Sequence, residues 1–397
     1  MPADSTPSPP TEPFRFVPVV LLSACHFIHD VYTAFLAPLL PLLIDKLSLT
    51  LTQAGFLSTV MQIPALLNPL IGNLADRISV RWFVVAAPMA TAVSMSLIGL
   101  APSYGVLLIL LFVAGVSTSV FHVPAPVMVS RMAGDRVGKG MSFFMTGGEL
   151  ARTLGPIAAV GAVSLWGLEG FYPVMVVGLA ASAWLWLQLR GIPKAATGGA
   201  RSRSSREGIW KEMRHILGPL TGILFARGFM HAAMVTFLPT FIRQETGDLW
   251  LAGISLTLVE ASGVAGVLTA GTISDRLGRR RVLMLALITA PFALLLFVLS
   301  ASLWLQMAAL LATGFSLLAT TPVMLALVQE NARGNPAGAN GWFMMISFIA
   351  RSAVVVVVGL GGDLIGLKTT YLLSAGMGLA ALPFIRMLPA AGTAPSD

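Results

Sequence analysis

Gly271-Thr-Ile-Ser-Asp275-Arg276-Leu-Gly278-Arg279-Arg280-Arg281 is a polar, basic stretch set between two long apolar runs, and it has an earlier copy. Gly72-Asn-Leu-Ala-Asp76-Arg77 stands 199 residues before it, counting from Gly72 to Gly271, again between two apolar runs. The same offset pairs Phe144 with Phe343, Arg152 with Arg351, Gly167 with Gly366 and Tyr172 with Tyr371. One offset shared by separate loci describes a chain built from two repeated halves in parallel.

The composition names the solvent. Of 397 residues, 56% are hydrophobic and only 11% charged, where a water-soluble domain carries about 25% charged residues. Mean hydropathy is +0.84, the range of chains that live in a bilayer. The lone Cys25 lies in an apolar run and has no partner for an internal disulfide. The polar, proline-rich start reads as a disordered tail without the features of a cleaved signal.

Apolar runs long enough to cross about 30 Å of hydrocarbon recur along the whole chain. The expected spans are 16–44, 52–74, 82–101, 105–129, 141–165, 171–190, 217–241, 251–273, 282–301, 304–328, 340–363 and 369–389. With a cytoplasmic N-terminus and alternating spans, 19 of the 25 lysines and arginines fall in cytoplasmic segments; Lys46, Arg243 and Lys368 fall outside, and Arg152, Arg227 and Arg351 fall within spans. That asymmetry is the positive-inside pattern. It accounts for the net charge of +8 without nucleic acid as a partner. Twelve spans put both termini in the cytoplasm. The expected organisation is a tail over 1–15, a six-helix half over 16–190, and a Gly/Ser/Arg-rich cytoplasmic linker over 191–216. A second six-helix half over 217–389 and a tail over 390–397 complete it. The fold class is therefore an all-α membrane protein of twelve transmembrane helices in two pseudo-symmetric halves.

The duplicated Gly-x-x-x-Asp-Arg loop resembles the signature between spans 2–3 and 8–9 of the major facilitator superfamily. The first copy departs from it, since Ile-Ser-Val-Arg81 follows Arg77. Cys25-His26-Phe-Ile-His29-Asp30 and Ser119-Val-Phe121-His122 further resemble the fosmidomycin-resistance-type exporters of that superfamily. So do Phe144-Met-Thr-Gly147-Gly148, Leu154-Gly155-Pro156 and Gln329-Glu330. Two positions depart from the subgroup: Val123-Pro124 stands where Pro-Glu is usual, and Glu149 where Asn is usual. The resemblance implies the major facilitator fold, a bacterial cytoplasmic membrane, a monomer, and export of a drug such as a phosphonate-like antibiotic.

Ionisable groups inside spans cost about 2.5–3.5 kcal/mol each on insertion scales, so each is a functional candidate. His26, His29, Asp30 and Thr33 recur at i, i+3, i+4 and i+7 on the first span, forming one polar stripe. The stripe reads either as a proton or substrate site or as an interhelical hydrogen-bonded patch. Glu149 and Arg152 share a face of span 5, either as a self-neutralising pair or as substrate contacts. Arg351 at the matching depth of span 11 has no acidic neighbour on the same turn. Two guanidinium forks at the interface of the halves suit an anion. Arg227 and His231 share a face of span 7. Glu260 stands alone in span 8, as a proton carrier or as the partner of Arg227 or Arg351. His122 precedes Pro124 and Pro126, which break the helical ladder of span 4.

Substrate binding is accordingly expected at Arg152, Arg351, Glu149, His122, Arg227, His231 and His26. Proton coupling is expected at Asp30, Glu149, Glu260 and His29, and gating at Asp76, Arg77, Asp275 and Arg276, whose aspartates can cap helices or pair with nearby arginines. There is no phosphate-cradling loop for ATP, no cofactor motif, and His26 with His29 alone are too few ligands for a metal. The duplicated gate serves alternating access and has no evident use in an enzyme. The expected activity is proton-coupled export of a small organic anion, the alternative being proton-coupled uptake of a metabolite anion.

Overall fold

The computed structural model describes residues 14–68, 71, 80–189, 206–332 and 336–389. Among the described residues it is all helical, with eleven helices long and apolar enough to cross a membrane. They are Phe16–Leu47, Arg81–Leu100, Tyr104–Ala133, Val137–Gly170, Tyr172–Leu189, Glu212–Thr246, Leu249–Leu277, Arg279–Leu299, Leu303–Asn331, Gly338–Ile365 and Leu367–Met387. A shorter apolar helix, Leu51–Leu67, stands in second place, and most of the rest of that expected span lies outside the described residues. Counting Leu51–Leu67 as span 2, these are spans 1 to 12. The boundaries follow the sequence reading to within a few residues, except that the helix of span 7 already begins at Arg206, inside the expected linker.

Short polar caps set the ends of several spans. Thr50 and Gln53 form a reciprocal capping box at the start of span 2, Ser103 accepts from the Val106 N–H at span 4, and Asp248 accepts from the Trp250 and Leu251 N–H groups at span 8. Each satisfies backbone donors that the helix leaves orphaned. The repeat reaches the backbone: Gly167 and Gly366 both hold a positive φ, 74° and 80°, a region open to glycine at no steric cost. Phe144 and Phe343 are both buried. The Tyr172 and Tyr371 pair has diverged, the first exposed and the second fully buried.

Among the described residues several spans are interrupted, and the breaks in spans 1, 4 and 7 lie nearest the site. Span 1 splits into Phe16–Thr33 and Leu36–Leu47, where Pro38 cannot donate to the carbonyl of Ala34. Span 4 splits at Val123 and Pro124 into Tyr104–His122 and Ala125–Ala133. Span 7 carries a π-helical turn over Ala232–Phe237 just before Pro239, the register slip expected where proline removes a ladder donor.

The halves meet chiefly at the end of the molecule far from the chain termini. There the second part of span 1 packs on the second part of span 7, span 2 packs on span 11, and span 5 packs on span 8. Span 2 lies so close to span 11 that a Cβ on Gly55 would come within 2.7 Å of the Val355 carbonyl oxygen. Asp363 of span 11 closes this end: it accepts from the N–H groups of Leu51 (2.7 Å) and Thr52 (2.9 Å) and from the Thr52 hydroxyl (2.5 Å). A carboxylate at a helix N-terminus is favourably placed against the helix dipole.

Candidate functional site

A cavity of about 1110 Å³ lies between the halves. It runs from Ala37 and Val355 near the closed end down to Asn68 and Gly338 toward the terminus-bearing end. Its charged lining residues, among those described, are Arg152 of span 5, Glu260 of span 8 and Arg351 of span 11. His231 adds an imidazole beside the π-helical turn of span 7. Much of the remaining wall is apolar or small, with Thr33, Ser58, Gln62, Thr118 and Ser119 adding polar groups.

The two symmetric arginines differ in state. Arg152 is paired with Glu149 one turn earlier on span 5. Arg351 makes no hydrogen bond and no ion pair among the described residues and is exposed to the cavity. Glu260 is buried in the opposite wall, also without a hydrogen bond or ion pair among the described residues. Of the two readings of Glu260, the salt bridge to Arg227 or Arg351 is therefore not formed.

Arg227 lies behind the cavity wall. It is buried and donates to the hydroxyls of Thr320 (2.6 Å) and Thr321 (3.1 Å) on span 10, so it braces the second half from within. Asp275 does not cap a helix N-terminus: it sits in the last turn of span 8 and pairs with Arg279 (2.5 Å), which also reaches Glu330 of span 10 (2.7 Å). Arg276 neighbours this cluster without joining it in any ion pair among the described residues. Asp76 and Arg77 lie outside the described residues.

The polar stripe of span 1 divides. Thr33 reaches the cavity, while His26 and Asp30 turn toward span 4 and meet His122. His26 Nε2 is 3.1 Å from Asp30 Oδ2, His122 Nε2 is 3.4 Å from Asp30 Oδ1, and the two Nε2 atoms are 3.2 Å apart. His29 is fully buried, stacked on Phe121 with ring centroids 4.5 Å apart, and its Nε2 lies 3.9 Å from Asp30. The two-histidine count from the sequence omitted His122, because its approach to span 1 is a tertiary contact. Span 5 makes room through Gly148, where a Cβ would come within 2.7 Å of His26 Cε1 and 3.0 Å of its Nε2.

Sequence reasoning passed over Ser58 and Gln62. The available signal was their i, i+4 spacing on an otherwise apolar span. The aromatic wall residues Trp342 and Phe348 carried no such signal, since aromatic residues are equally expected facing lipid.

A family model described as Major Facilitator Superfamily matches residues 22–353 and 220–396. The chain is 26% identical over 381 residues to the fosmidomycin resistance protein of Escherichia coli (strain K12), covering 92% of this chain and 90% of that protein. It is 28% identical over 278 residues to a chloramphenicol resistance protein of Streptomyces lividans, covering 66% and 67%. Among solved structures it resembles a bacterial homolog of the human lysosomal transporter Spinster in an inward-facing, occupied conformation. That match has a TM-score of 0.80 and 14% identity, covering 96% of this chain and 97% of that one.

Proposed function

Because this chain belongs to the major facilitator superfamily, and so is a multi-pass membrane transporter and not an enzyme, we propose that it exports a small organic anion in exchange for protons. The observation that carries the reading is Arg351: an unpaired guanidinium facing a cavity between two halves that can rock about it. An uncompensated cation in a low-dielectric wall is costly, and an anionic ligand removes that cost. Arg152 offers a second fork from the other half, held in place by Glu149. His231 supplies a further polar contact from span 7. Glu260 is the coupling group in this reading. It shares the cavity with both arginines and makes no hydrogen bond or ion pair among the described residues, so a proton is the simplest species to neutralise it.

Export is favoured over uptake by the relatives, two of which are named for resistance to an antibiotic. The distribution of basic residues supports a cytoplasmic position for both termini, which makes the open end of the cavity the cytoplasmic one in a bacterial inner membrane. Flux into and out of proteoliposomes under an imposed pH gradient, across a panel of carboxylates and phosphonates, tests the proposal. Gradient-driven movement of an anion against the proton flow supports it. Movement with the proton flow would establish uptake, and no gradient-dependent flux of any anion would remove the reading.

A further inference from the structure

The cluster of His26, Asp30 and His122 stands apart from the arginine-lined cavity, and its chemistry is different. Both imidazoles are anchored by the same device. His26 Nδ1–H donates to the Phe144 carbonyl (2.8 Å), and His122 Nδ1–H donates to the Thr118 carbonyl (3.0 Å). A carbonyl only accepts, so in each neutral ring the proton sits on Nδ1 and the Nε2 lone pair is free. Those two lone pairs face one another at 3.2 Å and face the Asp30 carboxylate at 3.1 and 3.4 Å. Three acceptors converging on one point repel unless a cation lies among them. A proton bridges one pair of these groups, whereas a metal ion satisfies all three.

The dimensions fit. A tetrahedral ion with ligand bonds of about 2.0–2.1 Å has ligand atoms about 3.3 Å apart. The two Nε2 atoms are 3.2 Å apart, the length of one edge of that tetrahedron; Asp30 offers Oδ2 to His26 at 3.1 Å and Oδ1 to His122 at 3.4 Å, and one ligand atom from each of the three residues lies within 4.8 Å of the others. Metal-bound histidines characteristically donate their second ring N–H to a carbonyl or carboxylate, which fixes tautomer and ring orientation, and both rings here do so. Two imidazoles and one carboxylate are a donor set for Zn²⁺ and its neighbours, too nitrogen-rich for Mg²⁺ or Ca²⁺. His122 is 37% exposed at its side chain and lies one turn beyond Thr118, which lines the cavity, so an ion has a route in. Gly148 keeps the space beside His26 Nε2 clear.

We propose that His26, Asp30 and His122 bind a divalent transition-metal cation of the Zn²⁺ class, with three protein ligands and one open position. The site does not depend on the anion reading of the central cavity. It is tested on the full-length, chelator-stripped protein in detergent with any affinity tag removed. Titration with Co²⁺ should give one equivalent of bound metal with a visible ligand-field absorption, displaced by Zn²⁺. His26→Gln and His122→Gln should each weaken that binding by tenfold or more, whereas His215→Ala, an exposed histidine elsewhere, should leave it unchanged. Where a variant loses its native gel-filtration profile, the zinc X-ray absorption spectrum of the unaltered protein decides. Two imidazole nitrogens and an oxygen at about 2.0–2.1 Å support the site. No stoichiometric Co²⁺ spectrum, a spectrum that survives both histidine substitutions, or a zinc shell with fewer than two imidazoles would overturn it.

Discussion

At the residue scale the cavity rests on two arginines that the 199-residue offset paired in advance. Their depth was legible because insertion of a charge into an apolar helix is itself the signal. Their partners were not legible. Glu149 sat within one turn of Arg152 and could be guessed, but the bracing of Arg227 by Thr320 and Thr321 depends on how span 7 lies against span 10. Arg351→Ala should weaken binding of the transported anion by about tenfold to a hundredfold. That is the equivalent of about 1.5–3 kcal/mol for charge-assisted hydrogen bonds, read by calorimetric titration. Arg351→Lys should fall between, since it keeps the charge but loses the planar fork; equal affinity in all three proteins would sever Arg351 from the substrate. Glu260→Gln should leave anion counterflow intact while abolishing its stimulation by a pH gradient. A variant that still responds to the gradient would shift coupling to another group.

At the element scale the breaks in spans 1, 4 and 7 matter most. A proline lies at each, though only the pair in span 4 was read from the sequence, and each break lies close to a residue of the cavity or of the histidine cluster. The register slip before Pro239 was less legible, because proline can kink a helix or shift its ladder and only packing chooses between them. Glycine supplies the opposite effect, close and regular contact. A Cβ on Gly147 would meet the Ser23 carbonyl oxygen at 2.5 Å, and backbone has little room to yield. Gly147→Ala should therefore destabilise the packing of span 5 on span 1 by about 1–3 kcal/mol, seen as a lower thermal midpoint in detergent. Gly138→Ala, whose added Cβ meets nothing within 4 Å, should leave the midpoint unchanged or raise it. An equal gain in both would mean helix propensity, not packing, governs this region.

At the scale of the whole molecule, hydropathy and the duplicated loop made the fold legible almost entirely, because a bilayer permits so few backbone solutions. The conformation was not legible: nothing in an apolar run says at which end two halves meet. Here they meet at the end sealed by Asp363 and by the approach at Gly55. Asp363→Ala removes the acceptor for three donors, and Gly55→Leu drives a wedge into the same seam. Either should lengthen the distance between spin labels at Ser48 and Lys368, two exposed positions at that end in opposite halves, measured by pulsed electron resonance in a Cys25→Ser background. An unchanged distance distribution in both would show that the seal is held by other contacts.

The arginines obey the repeat and the carboxylates do not. Position 199 after Glu149 is Phe348, and position 199 before Glu260 is Met61. A vestibule that kept its two-fold symmetry throughout would accept one ligand in two equivalent, inverted poses, and each half-turn of the guest would look the same to its host. Placing the negative charges on one side only, where span 5 packs on span 8, removes that degeneracy. The cargo is given a head and a tail, and a chain that began as two like halves acquires a sense of direction at its centre.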